Sequence, residues 1–200
     1  MITKKIIKNQ LCVGCGLCAS ILGNETCRMR LTERGFYQPQ IKEDSDDSIV
    51  KKLCPGVKVH SEGHSGVWGK VVEVSEAWSA DSDIRHKAAS GGIVTSLAIY
   101  LIESKKVDAV LHVGVEEGSY LHNELKISRN EQDIVGNAQS RYAPALTLNN
   151  IKQILDGSNE VFAFIGKPCD IAGVKNLITM FPEYQERFRL FISIFCAGMP

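Results

Sequence analysis

The 200 residues suffice for one medium domain, or for a small module followed by a larger one. Basic and acidic side chains balance at 23 each, so the chain lacks the basic excess of a nucleic-acid binder, and no nucleic-acid partner is expected. The longest apolar run, residues 93–102, is broken by Thr95 and Ser96 and is about half of the ~18–20 residues that a membrane span needs.

The N-terminal residues 1–8 contain no apolar signal core, which predicts a cytoplasmic protein. Seven cysteines in such a setting point to metal binding or redox chemistry more than to disulfides. They fall at 12, 15, 18, 27 and 54, then at 169 and 196, which divides the chain into two parts.

The first part, residues 1–65, is read as a ferredoxin-type 4Fe–4S module. Cys12, Cys15 and Cys18 match the first three cysteines of the bacterial run C-x2-C-x2-C-x3-C-P. Closely spaced thiolates on a turning loop suit three corners of a cubane. Gly14 and Gly16 let the backbone approach and aim its N–H groups at sulfur. The run's fourth cysteine would fall at Leu22; its absence indicates one cluster, not two. That cluster needs a remote fourth ligand, and Cys54 followed by Pro55 supplies the signature. Cys27 is the rival for this place but lacks the following proline. A zinc site, using the x3-spaced His60 and His64, is the competing reading. The acidic stretch 43–47 reads as a solvated loop, and the Gly- and Ser-rich stretch 61–66 as a linker.

The second part, residues 70–200, reads as an α/β domain with a mostly parallel sheet. Ser90, Gly91 and Gly92 precede a helical pattern whose apolar pairs recur every four residues through Leu101 and Ile102. Residues 107–115 form a buried strand. Residues 161–165 form another, followed by a helix opening at Lys167-Pro168-Cys169-Asp170. Residues 190–195 form a third apolar strand, ending at Cys196. Cys169 and Cys196 therefore belong at the carboxyl edge of the sheet, where open α/β sheets bind ligands. Two ordinary buried thiols are the alternative. The Ser90–Gly92 turn suits a phosphate cradle, with Arg85, His86 and Lys87 upstream. Ser90 as a simple N-cap explains it equally well. His86, His112 and His122 read as surface or strand residues, not catalysts.

Four segments carry a family resemblance: the Cys12–Cys18 triple with Cys54-Pro55, residues 88–97, residues 140–144, and Gly166-Lys167-Pro168-Cys169 with Phe195-Cys196-Ala197-Gly198. In these the chain resembles the beta subunits of coenzyme F420 hydrogenases and dehydrogenases. The resemblance implies an FAD held near an iron–sulfur cluster, with Ser90, Gly91 and Gly92 at the flavin and Ser140 and Tyr142 nearby. It also implies that Cys169 and Cys196 join a later cysteine pair in a second cluster, and that relatives run on beyond Pro200. The function implied is an iron–sulfur flavoprotein oxidoreductase, or its electron-input subunit. Electron partners would be ferredoxin or F420, with partner subunits. An electron-carrier module without a substrate site and a zinc-stabilised interaction protein are the alternatives.

Overall fold

The computed structural model describes residues 1–59, 69–119, 121–196 and 198. The expected linker, residues 61–66, lies outside the described residues, as do His60 and His64.

The first 59 residues form helix α1 (Ile2–Lys8), helix α2 (Leu17–Leu22), an antiparallel hairpin of β1 (Cys27–Leu31) and β2 (Tyr37–Ile41), and the one-turn helix α3 (Val50–Leu53). The start of α1 is closed by Asp47. Its carboxylate accepts from the N–H groups of Ile2 and Thr3 at 2.9 and 2.8 Å, satisfying donors that a helix end leaves open. Asp47 is only 4% exposed, so the acidic stretch is not the wholly solvated loop expected from its composition.

The remainder contains α4 (Ser82–Lys87), a short left-handed turn at Ser90–Gly92, α5 (Ile93–Glu103), β3 (Ala109–Val115), β4 (Asn123–Ser128), α6 (Glu131–Gly136), β5 (Ala145–Leu146), α7 (Ile151–Gly157), β6 (Phe162–Gly166), α8 (Pro168–Met180) and β7 (Phe188–Ser193). The five strands lie in the order β5-β4-β3-β6-β7. Three of the neighbouring pairs are parallel and β3–β4 is antiparallel. The expected mostly parallel α/β sheet is therefore present, with one antiparallel insertion that the apolar pattern did not reveal.

Period-two alternation sends β3 and β6 side chains to opposite faces. Ala109, Leu111, Phe162 and Phe164 join Leu148, Ile151, Val174 and Leu177 in the larger core. Val110 and Ala163 face Ala98, Ile99, Leu101 and Ile134 across the sheet. Burying Phe164, at 1% exposure, stabilises the fold by roughly 1.5–3 kcal/mol relative to leaving it in water.

The cysteine-bearing segment packs into that larger core. Leu17 and Leu53 share it with Phe162 and Leu177. Fully buried Asn176, on α8, donates to the carbonyls of Leu53 and Lys58 at 3.1 and 2.9 Å. From the other side, Leu148 N–H donates to Cys15 O at 2.7 Å and Lys152 N–H to Ser20 Oγ at 3.0 Å.

Candidate metal centre and the adjoining cleft

The triple begins on the loop after α1 and ends in the first turn of α2. Two close backbone approaches hold it. Gly16 has φ of 85°, and a Cβ there would sit 2.9 Å from Asn149 Cα, so this turn needs glycine. A Cβ on Gly56 would lie 1.9 Å from the carbonyl oxygen of Leu11, so the Cys54-Pro55-Gly56 loop presses directly against the residue before Cys12.

This contact brings Cys54 to the triple. Each of Cys12, Cys15, Cys18 and Cys54 lies within electrostatic range of at least two of the other three. A repeated device accompanies them: the N–H of Gly14 donates to Cys12 Sγ, that of Leu17 to Cys15 Sγ, and that of Gly56 to Cys54 Sγ. In each case the donor stands two residues after the cysteine. Burial raises all three thiol pKa values, and these N–H groups oppose the rise. Thiols that are desolvated yet supplied with backbone donors suit thiolates bound to a cationic centre.

Cys27 is also close. Its thiol shares a hydrogen bond with Cys18, which raises the pKa of Cys18 and lowers that of Cys27. Among the described residues, no backbone donor serves Cys27 Sγ in the way Gly56 serves Cys54. Among the described residues, no three Cys, His, Asp or Glu side chains converge on a single ion. Four neighbouring thiols, Cys15 buried and Cys12, Cys18 and Cys54 half-buried, three of them with a backbone N–H donor two residues on, fit the donor set of a cubane.

Cys169 and Cys196 follow β6 and β7, parallel neighbours, so both stand at the carboxyl edge. They are within electrostatic range of one another and line the same cavity of about 990 Å³. Cys12, Tyr37, Pro144 and Lys167 line it too, so the cavity runs from the triple to the Cys169–Cys196 pair. Burial raises the Cys169 pKa, Asp170 adds to the rise, and Lys167 opposes it.

Ser90, Gly91 and Gly92 do not reach this cavity. They all have positive φ, at 50, 67 and 77°. Gly92 caps α5, and Ser90 makes no side-chain cap bond, so the N-cap reading of Ser90 is corrected. Because α5 feeds directly into β3, the turn sits at the same carboxyl edge, but with the helix of the opposite face. Ser140 is exposed and Tyr142 is 90% exposed; neither lines the cavity, although Pro144 does. His112 lies in β3 with its Nε2 2.7 Å from Ser128 Oγ, and burial lowers its pKa to about 4.

The helix opening Lys167-Pro168-Cys169-Asp170 also carries a largely buried ion pair. Asp170, 1% exposed, holds Lys167 Nζ at 2.9 Å and accepts from Thr147 Oγ1 at 2.6 Å. An Asp three residues after a lysine, just ahead of an apolar helical run, is the signal that was available in the sequence.

Residues 74–152 match the family model described as "Coenzyme F420 hydrogenase/dehydrogenase, beta subunit N-term", and residues 159–200 match the one for its C terminus. The chain belongs to this family. Cys169 and Cys196 fall within the beta-subunit models, whereas Cys12 to Cys54 precede them. Among curated proteins, the family member is 26% identical over 185 residues to a coenzyme F420-dependent sulfite reductase of Methanocaldococcus jannaschii, covering 91% of this chain and 27% of that protein. It is 24% identical over 135 residues to the coenzyme F420 hydrogenase subunit beta of Methanococcus voltae, covering 64% of this chain and 46% of that one. The chain thus spans less than half the length of either relative. Among solved structures, a chain of the xenon-derivatised F420-reducing NiFe hydrogenase complex of Methanosarcina barkeri matches with a TM-score of 0.54 at 20% identity. The match covers 60% of this chain and 42% of that one, and supports the fold alone.

Proposed function

We propose that this beta-subunit-family chain is the electron-input part of an F420-linked iron–sulfur flavoprotein oxidoreductase. Residues 1–65 act as its ferredoxin-type module, holding one 4Fe–4S cluster on Cys12, Cys15, Cys18 and Cys54. Residues 70–200 act as the flavin-binding part, with FAD at Ser90–Gly92 and with Ser140 and Tyr142 nearby. Cys169 and Cys196 contribute two ligands to a second cluster. The observation that carries the reading is the repeated N–H···S pattern at Cys12, Cys15 and Cys54, which Cys27 lacks.

Clusters pass single electrons, while flavin accepts one or two and exchanges hydride, so the pairing links one-electron to hydride chemistry. The chain's own residues supply burial, N–H donors and a cleft between the two cysteine groups. Ferredoxin or F420 would be the electron partner, within a complex of subunits. Among the described residues no helix is long and apolar enough to cross a membrane, and cytoplasmic placement belongs to the same proposal.

The test is anaerobic reconstitution with iron and sulfide. One cubane requires about four irons per chain. Cys54→Ser should abolish loading, and Cys27→Ser should retain it. The reverse pattern exchanges the fourth ligand, and zinc retained in place of iron favours an interaction protein.

A further inference from the structure

Lys167 is a fixed cation in the cavity that both cysteine groups line. It lies on the cavity wall with Cys12, Cys169 and Cys196 and is only about one-fifth exposed. It cannot swing freely, because Asp170 holds both its Nζ, at 2.9 Å, and its backbone N–H, at 3.1 Å. Asp170 is in turn fixed by buried Thr147. The residue after Thr147 is Leu148, whose N–H binds the Cys15 carbonyl. One connector therefore ties the Lys167–Asp170 pair to the triple on one side, while Cys169 neighbours the pair along α8. Lys167 lies within electrostatic range of both Cys15 and Cys169. Asp170 keeps Lys167 charged in this partly desolvated cleft, so a fixed positive charge stands on the wall that the two cysteine groups share.

We propose that Lys167 is an electrostatic residue that sets the reduction potential of the Cys12–Cys15–Cys18–Cys54 cluster, with Asp170 as the positioning residue that fixes it. The proposal rests on the cluster reading above. Reduction adds one negative charge to the cluster. A cation held at short range in low dielectric stabilises that charge and raises the potential; a carboxylate does the reverse. The two halves of the pair therefore act with opposite signs, which a merely structural role would not produce.

The experiment is an EPR-monitored redox titration of the anaerobically reconstituted chain, with iron per chain measured in parallel. Lys167→Met should lower the midpoint potential and Asp170→Asn should raise it. Lys167→Arg should stay near the wild type, and the double variant should fall between the two single ones. If Lys167→Met does not fold, Asp170→Asn decides alone: a potential that falls or does not move overturns the proposal. With cubanes present in all variants, coincident potentials or shifts of the same sign also overturn it. A wild-type chain without a cubane instead overturns the cluster reading itself.

Discussion

At the scale of single residues, the candidate centre depends on backbone contacts more than on the cysteines alone. Cys54 is remote in sequence, and what delivers it is the absence of a side chain at Gly56, which lets that loop rest on the Leu11 carbonyl. Gly56→Ala places a Cβ 1.9 Å from that oxygen, so the two loops must part. The expected result is a loss of about 1–3 kcal/mol in a urea titration, the usual range for overpacking. Iron loading should fall as well, although every cysteine remains. An unchanged midpoint and full iron loading would show that the loop contact does not position Cys54. The cysteine spacing made Cys12, Cys15 and Cys18 legible at once, because three ligands lie on one short loop. The Cys18–Cys27 hydrogen bond was not legible, because eight residues lie between these thiols and Cys27 opens a hairpin strand, so nothing local predicts that they meet.

At the scale of elements, β3 carries a second consequence. His112 is neutral because burial lowers its pKa to about 4, whereas the ordinary value is 6.5, and Asp133 opposes that shift. Between those values the unfolded chain binds more protons than the folded one. Stability therefore falls as pH drops from about 6.5 towards 4, by up to ~3 kcal/mol for this group. Chemical denaturation across that range should show the slope, and His112→Gln should flatten it. Equal slopes in both proteins would contradict the neutral, buried assignment. Helices α5 and α8 and strands β3, β6 and β7 were readable because their apolar residues repeat at the right period. The hairpin escaped notice because it is largely solvent-facing, with Pro39 in the middle of β2. Strand β4, with the sequence NELKIS, mixes charged and apolar residues and pairs antiparallel, so neither a continuous apolar run nor a βαβ rhythm announces it.

At the scale of the molecule, the cysteine segment and the sheet share one core. Leu53 is 1% exposed in the same cluster as Phe164 and Leu177. Leu53→Ala should cost about 2–5 kcal/mol. It should also lower together the midpoints seen by circular dichroism and by labelling of buried Cys15 and Cys27. Thiol exposure at a denaturant concentration that leaves the sheet signal intact would mean that the segment unfolds alone. The residues that mark the family, notably Gly166 to Cys169, could be read from sequence because they are local motifs. The cavity joining Cys12 to Cys169 and Cys196 could not, since it exists only once the segment docks on α8. The most direct test of the central claim is an anomalous-diffraction map at the iron edge from crystals of the anaerobically reconstituted chain. Iron should appear as one compact peak bonded to Cys12, Cys15, Cys18 and Cys54, with Cys27 outside it. Iron bonded to Cys27 in place of Cys54, or no iron at the triple, would contradict the claim.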